Sequence, residues 1–190
     1  MIEPPKYDNL ISEVSDALAL HYRKWVSEHE GEEIYAYIIY ATALISDIGI
    51  SVLTEQGLKQ VALEYKTEYG YKETLEQLVN ELRWSVEDTP YCIDYQEIFT
   101  SINERLNAMM PYVYSLHIDD PAFSEHGDMM DSILVSALNQ FRQDTLGGAK
   151  RPVLYVDFGD MSDEERLMFV KQCNDPEAIE WYCSSIAMAR

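Results

Sequence analysis

Apolar residues three and four apart mark the first element. Leu10, Ile11, Val14, Ala17, Leu18, His21, Tyr22 and Trp25 form one stripe of an amphipathic helix that ends before Glu30-Gly31. The pattern then changes period. Ile34 to Tyr40 is a continuous β-branched and aromatic run, the mark of a buried strand, and Ile48, Ile50 and Val52 alternate with Gly49 and Ser51 as a second strand. The short connection predicts an antiparallel hairpin over about 34–53 rather than a crossover pair. Its turn, Ala41 to Asp47, is apolar where polar turn residues are expected.

Thr54 is placed to cap a helix through Leu58, Val61, Ala62 and Tyr65, stopped near Tyr69-Gly70, and a further helix is expected from about Lys72 to Leu82. Arg83-Trp84-Ser85 leads into a turn at Glu87-Asp88-Thr89-Pro90. Tyr95, Ile98, Phe99, Ile102, Leu106 and Met109 form another stripe, closed by Pro111. Asp120-Pro121 reads as an N-cap with proline at the first helical position, and Gly147-Gly148 ends that helix. Val153 to Phe158 is a third strand. Ser162-Asp163-Glu164-Glu165 is a capping box, and Asp175-Pro176-Glu177 starts a last helix. Nothing divides the chain. The pattern predicts one α+β domain over 1–190: a small, mostly antiparallel sheet, hairpin about 34–53 plus strand about 153–158, covered by several helices.

Charge adds the strongest functional signal. Thirty-four acids face fourteen bases in 190 residues, a formal net charge of −20, with 47% hydrophobic residues and fourteen Tyr. That apolar content excludes a disordered acidic tail, so the charge decorates a solid core. Such a field repels nucleic acid and anionic lipid and attracts cationic partners. Between Glu68 and Asp131 lie fourteen acids and three bases. Three cysteines, Cys92, Cys173 and Cys183, without metal spacing, argue for reduced thiols in a cytosolic protein. Met1-Ile2-Glu3-Pro4-Pro5 lacks the features of a signal peptide, and the Ile34–Ile45 stretch is too short to span a membrane, so a soluble, cytoplasmic protein is expected.

Catalytic motifs are wanting. Asp157-Phe158-Gly159-Asp160 echoes a kinase metal motif without the phosphate loop, strand lysine or catalytic loop that a kinase needs; a strand-to-helix turn capped by Ser162 explains most of these residues. His21 falls on an apolar stripe and reads as a core histidine. His117 and His126 sit among Asp119, Asp120, Glu125 and Asp128, where nearby anions are expected to favour protonation. No nucleophile elbow, thiolate setting or metal-ligand spacing appears. Arg83-Trp84 reads either as an interface anchor or as a core Trp with Arg83 pairing Glu81, Glu87 or Asp88.

The chain resembles the bacterial domain-of-unknown-function family 4303. The resemblance is carried by Glu33-Ile34-Tyr35-Ala36-Tyr37, Thr54-Glu55-Gln56-Gly57-Leu58, Leu82-Arg83-Trp84-Ser85 with Pro90-Tyr91, and Gly159 through Leu167. It carries no catalytic residues. It implies a bacterial cytosolic protein of the kind found beside secreted toxins, where small acidic immunity proteins block a toxin domain. The expectation is therefore a binding protein that neutralises a basic toxin domain, a nuclease above all, by occluding the surface that holds phosphates, without cofactor or metal. The expected interface comprises Glu87, Asp88, Asp94 and Glu97 around one turn, and Asp119, Asp120, Glu125, Asp128 and Asp131 around another, with Trp84 and Tyr91 as apolar anchors. The alternatives are a small-ligand or metal-dependent enzyme using carboxylates near Asp157 and Asp160, and an adaptor whose charge is a solvated face.

Overall fold

A strand without polar positions has no face to give to water, so it must lie inside a sheet covered on both sides. Ile34–Ala41 (β1) occupies that place, at the centre of a three-stranded sheet. A computed structural model describes residues 3–149 and 151–189; the leader reading falls partly on Met1 and Ile2, outside the described residues. Helix α1 (Leu10–Glu28) precedes β1. It is followed by β2 (Ile48–Thr54), α2 (Glu55–Thr67), α3 (Leu75–Leu82), a 3-10 turn (Gln96–Phe99) and α4 (Thr100–Val113). Then come α5 (Pro121–Asp144), β3 (Val153–Asp157), α6 (Asp163–Cys173) and α7 (Pro176–Ala189).

The fold is α+β as expected, but the sheet is mixed. β1 pairs antiparallel with β2, Tyr37 opposite Val52, and parallel with β3, Ile38 opposite Tyr155. A parallel neighbour needs a long crossover, and the helical chain between β2 and β3 supplies it. One face of the sheet takes α1 and α5: the Tyr37 ring stacks on Phe141 at 5.2 Å and meets Tyr22 edge-on. The other takes Trp84 and α7, where Tyr155, Tyr182, Trp181 and Trp84 form one aromatic cluster. A register shift between Ile34 and Ala36 turns the Tyr35 ring to this second face, 5.6 Å from Trp84.

The apolar hairpin turn is closed by a side chain. Thr42 Oγ1 accepts the backbone N–H of Ser46 at 2.9 Å and of Asp47 at 3.3 Å, while Ile45, at φ 52°, is buried. Asn103 of α4 then pins the start of β2: its Oδ1 accepts from the Ile48 N–H and its Nδ2 donates to the Ile48 carbonyl, at 3.0 and 2.9 Å. Predicted caps form as drawn. Thr54 accepts from the Gly57 N–H, Asp120 from the Ala122 N–H, and Ser162 and Glu165 complete their box. Two boundaries differ. Thr74 makes a capping box with Gln77, so α3 starts at Leu75 rather than near Lys72. Pro111 lies inside the last turn of α4, which runs on to Val113, because proline there forfeits one backbone bond without ending the packed face.

The outer edge of β3 is closed by Asn174. Its Oδ1 accepts from the Leu154 N–H at 2.9 Å, and its Nδ2 donates to the carbonyls of Leu154 and Val170. Buried Arg142 also donates to Asn174 Oδ1 and to the carbonyls of Cys173, Pro152 and Ala149. Asn174→Leu strands both polar groups of Leu154 and takes one of two acceptors from the Arg142 Nη2. Each buried unsatisfied group costs about 1–3 kcal/mol. The urea midpoint of this variant should fall, with the slope unchanged; an unchanged midpoint refutes the role given to Asn174.

Candidate functional site: an acidic strip on the sheet edge

β2 is the other edge strand, and a bare edge offers unpaired N–H and C=O groups to any extended chain. Residues 86–95 cover it. The Ile93 N–H donates to the Ile50 carbonyl at 2.8 Å, the Val52 N–H donates to the Tyr91 carbonyl at 3.3 Å, and Ser51 bridges Cys92. Side chains reinforce the seam: the Ser51 hydroxyl donates to the Val86 carbonyl at 2.6 Å and the Thr89 hydroxyl to the Val52 carbonyl at 2.8 Å. Gly49 makes the close approach possible, since a Cβ there would stand 2.8 Å from both Gln96 Oε1 and Ile93 Cγ2. Ile93 and Tyr95 adopt φ of 54° and 53°, a strained conformation for residues with a Cβ.

His21 anchors the far end of the segment. Burial pushes its pKa down to about 4, so the ring is neutral; Nε2 lies 3.2 Å from the Asp94 carbonyl and Nδ1 lies 2.8 Å from the Tyr37 hydroxyl. With Nε2–H donating to Asp94, Nδ1 is an acceptor for the Tyr37 hydroxyl, whose single proton also faces the Leu18 carbonyl at 3.1 Å. The core-histidine reading of His21 holds.

The charge on this strip is positioned by tyrosines. Tyr40 donates to Glu87 at 2.9 Å, Tyr65 to Asp88 at 2.6 Å, Tyr91 to Glu32 at 2.9 Å and Tyr95 to Glu28 at 2.8 Å. Ser85 adds a second bond to Asp88 at 2.6 Å. A phenol orders a carboxylate without bringing a positive charge, so each pair stays net negative. The hydrogen bond to the acid pushes the Tyr40 and Tyr65 pKa values up to about 12; for Tyr91 and Tyr95 burial is the larger cause, with the acid second, again to about 12.

Beside Glu87 and Asp88 opens a groove of about 380 Å³, walled by Glu64, Tyr65, Tyr69 and Tyr71. Tyr69 is 70% exposed and Tyr71 47%. Both rings lean on Tyr65, with centroids 5.6 and 5.0 Å away. Carboxylates and exposed aromatic faces in one groove are the chemistry that takes up a Lys or Arg side chain.

The residues singled out in the sequence separate. Glu87, Asp88, Tyr91 and Asp94 share the strip, with Glu97 just beyond it, paired to Lys24 at 2.9 Å. Trp84 is not an exposed anchor: it is 8% exposed, packs in the aromatic cluster and donates to Ser185. Arg83 pairs with Glu55, not with Glu81, Glu87 or Asp88, through two bonds of 2.7 and 3.1 Å. Asp119, Glu125 and Asp128 are exposed at the start of α5, Asp120 is its cap, and Asp131 is half-buried. His126 overturns its expectation. It is buried, and burial pushes its pKa down rather than up.

Asp157 is 1% exposed, held at 2.6 Å by Arg166, and accepts the Gly159 N–H; Asp160 is exposed. Ser162 caps α6 as the turn reading requires. No group of three or more His, Cys, Asp or Glu is placed to hold a metal ion among the described residues. No helix there is long and apolar enough to cross a membrane. The sequence reading passed over Glu28, Glu32, Glu64, Tyr65, Tyr69 and Tyr71. The available signal was Tyr69-Gly70-Tyr71 at a helix stop, where a core cannot use two large rings.

The chain belongs to the family described as domain of unknown function DUF4303, whose model matches residues 14–187. No curated protein and no solved structure matches it significantly.

A tyrosine titration tests the acid–phenol pairs. Tyr40, Tyr65, Tyr91 and Tyr95 should ionise near pH 12 rather than near the ordinary value of about 10. Their raised folded values give stability that is full below pH ~10 and lost as pH rises through about 12. Glu87→Gln should return Tyr40 towards its ordinary titration and leave Tyr65 where it is. Phenolate absorbance unchanged by Glu87→Gln contradicts the pairing.

Proposed function

We propose that this chain is a binding protein whose acidic strip takes up a basic protein domain, and that it serves as an immunity protein neutralising a toxin, a nuclease above all. One observation carries the reading: four carboxylates, Glu87 and Asp88 on the 86–95 segment and Glu32 and Glu28 held by its Tyr91 and Tyr95, are fixed by tyrosine hydroxyls rather than by cations among the described residues, beside a groove of acids and exposed rings. A side chain already ordered loses little entropy on binding, and a carboxylate without a resident cation has its charge to offer. A domain that cleaves nucleic acid must carry Lys and Arg to hold phosphates, and an ordered negative surface competes for the same groups. The reading needs no catalytic group. The alternative based on Asp157 and Asp160 has less support, because Asp157 already accepts from Arg166 and from the Gly159 N–H.

The test begins with affinity capture from the source cells at low salt, elution at high salt and identification of the protein released. Association rates are then measured with the chain and with a Glu64→Gln, Glu87→Gln, Asp88→Asn variant. Steering by this face predicts an on-rate lowered roughly tenfold or more in the variant at low salt, with the difference shrinking as salt rises. It also predicts that the chain abolishes the partner's toxic activity. A partner whose on-rate ignores both salt and the three substitutions contradicts the proposal.

A further inference from the structure

A second, more enclosed cavity of about 180 Å³ lies between the hairpin turn and α5, away from the 86–95 strip. Its wall is apolar, from Leu44, Phe123, Met130 and Phe158, and two titratable groups interrupt it: His126 and Asp131. In size it compares with the ~150 Å³ cavity that accepts benzene in another protein.

His126 is 6% exposed, and its Nε2 has no hydrogen-bond partner among the described residues. Its Nδ1 lies 2.6 Å from the Tyr7 hydroxyl. The ring is neutral, as burial dictates, so it carries one proton. A phenol is the better donor to an imidazole lone pair, and this arrangement satisfies Tyr7 and Nδ1 together. The ring proton then sits on Nε2, the nitrogen left for a ligand. A buried donor without an acceptor is costly, and native proteins rarely keep one without a use.

Asp131 sets the sign of what enters. It also lines an open depression of about 420 Å³ that shares Ala43 and Phe158 with the cavity, so it stands where the two meet. Burial, and then the neighbouring Asp128 charge, push its pKa up to about 6. A ligand carrying a negative charge would add a further repulsion there, whereas a neutral hydroxyl, which can both donate and accept, would not.

We infer that this cavity is a binding site for a small, neutral aromatic molecule whose acceptor atom takes the Nε2–H of His126 while its ring lies among Phe123, Met130 and Phe158. This site is separate from the acidic strip and stands or falls without it.

The probes are benzyl alcohol, benzoate and toluene, followed through the His126 imidazole and Phe123 ring resonances by NMR. Benzyl alcohol should shift both at concentrations where benzoate does not, with an affinity about tenfold or more above that of benzoate and toluene. His126→Phe keeps the ring shape and removes the donor. It should erase the advantage of benzyl alcohol over toluene while leaving toluene binding in place. Should that variant fold poorly, Ala43→Trp plugs the mouth from an exposed position and should abolish binding of every probe. Absence of shifts with all three probes overturns the site. So does equal binding of benzyl alcohol and toluene, which would make His126 a residue satisfied by water alone.

Discussion

The edge of β2 has to be closed, and the rest of the molecule's outward face follows from how that is done. A three-stranded sheet has two edges. Asn174 closes one with a single side chain, whereas the other takes a ten-residue irregular segment, 86–95. That segment cannot continue as a regular strand, because Ile93 and Tyr95 turn it into the left-handed region before the 3-10 turn. Gly49 lets it approach, Gln96 donates to the Ile48 carbonyl, and neutral His21 holds the Asp94 carbonyl from below. A loop fixed at so many points displays its side chains as a strand would, in defined directions.

Those side chains are mainly acids and tyrosines, and the pairing has a physical logic. Like charges along a short segment repel, and a cation would settle the conflict at the cost of the surface's sign. Tyrosine hydroxyls settle the geometry and leave the sign. The same device recurs at Glu28, Glu32, Glu87 and Asp88, drawing its donors from β1, α2 and the segment itself. A core that could carry the net charge of −20 is therefore built with its aromatic residues doing two tasks, packing with the ring and ordering an acid with the hydroxyl.

Much of the fold was legible because local chemistry decided it. The Ile34–Tyr40 run, the Thr54 cap and the Ser162–Glu165 box each specify their element within a few residues. Two things were not local. The parallel placement of β3 depends on where a chain of helices returns, which no window around Val153 contains. The edge segment depends on long-range pairing with β2, and its own sequence shows only turn residues and acids. The site was half legible for the same reason. Glu87, Asp88 and Tyr91 stand out as an acidic, aromatic turn, but their partners Tyr40, Tyr65 and Glu32 come from other elements. His126 was misjudged because acids close in sequence suggested an ionic setting, while its position on α5 turns it inward.

Amide hydrogen exchange on the chain alone tests the central claim, that 86–95 is part of the sheet rather than a loop lying over it. The N–H groups of Ile93 and Val52 donate across the seam and are the ones to follow. The account predicts that both exchange as slowly as the amides of β1, through opening of the whole sheet. Exchange at the rate of exposed loops, with β1 still protected, would mean that the edge is open and that the acidic strip has no fixed geometry to recognise anything.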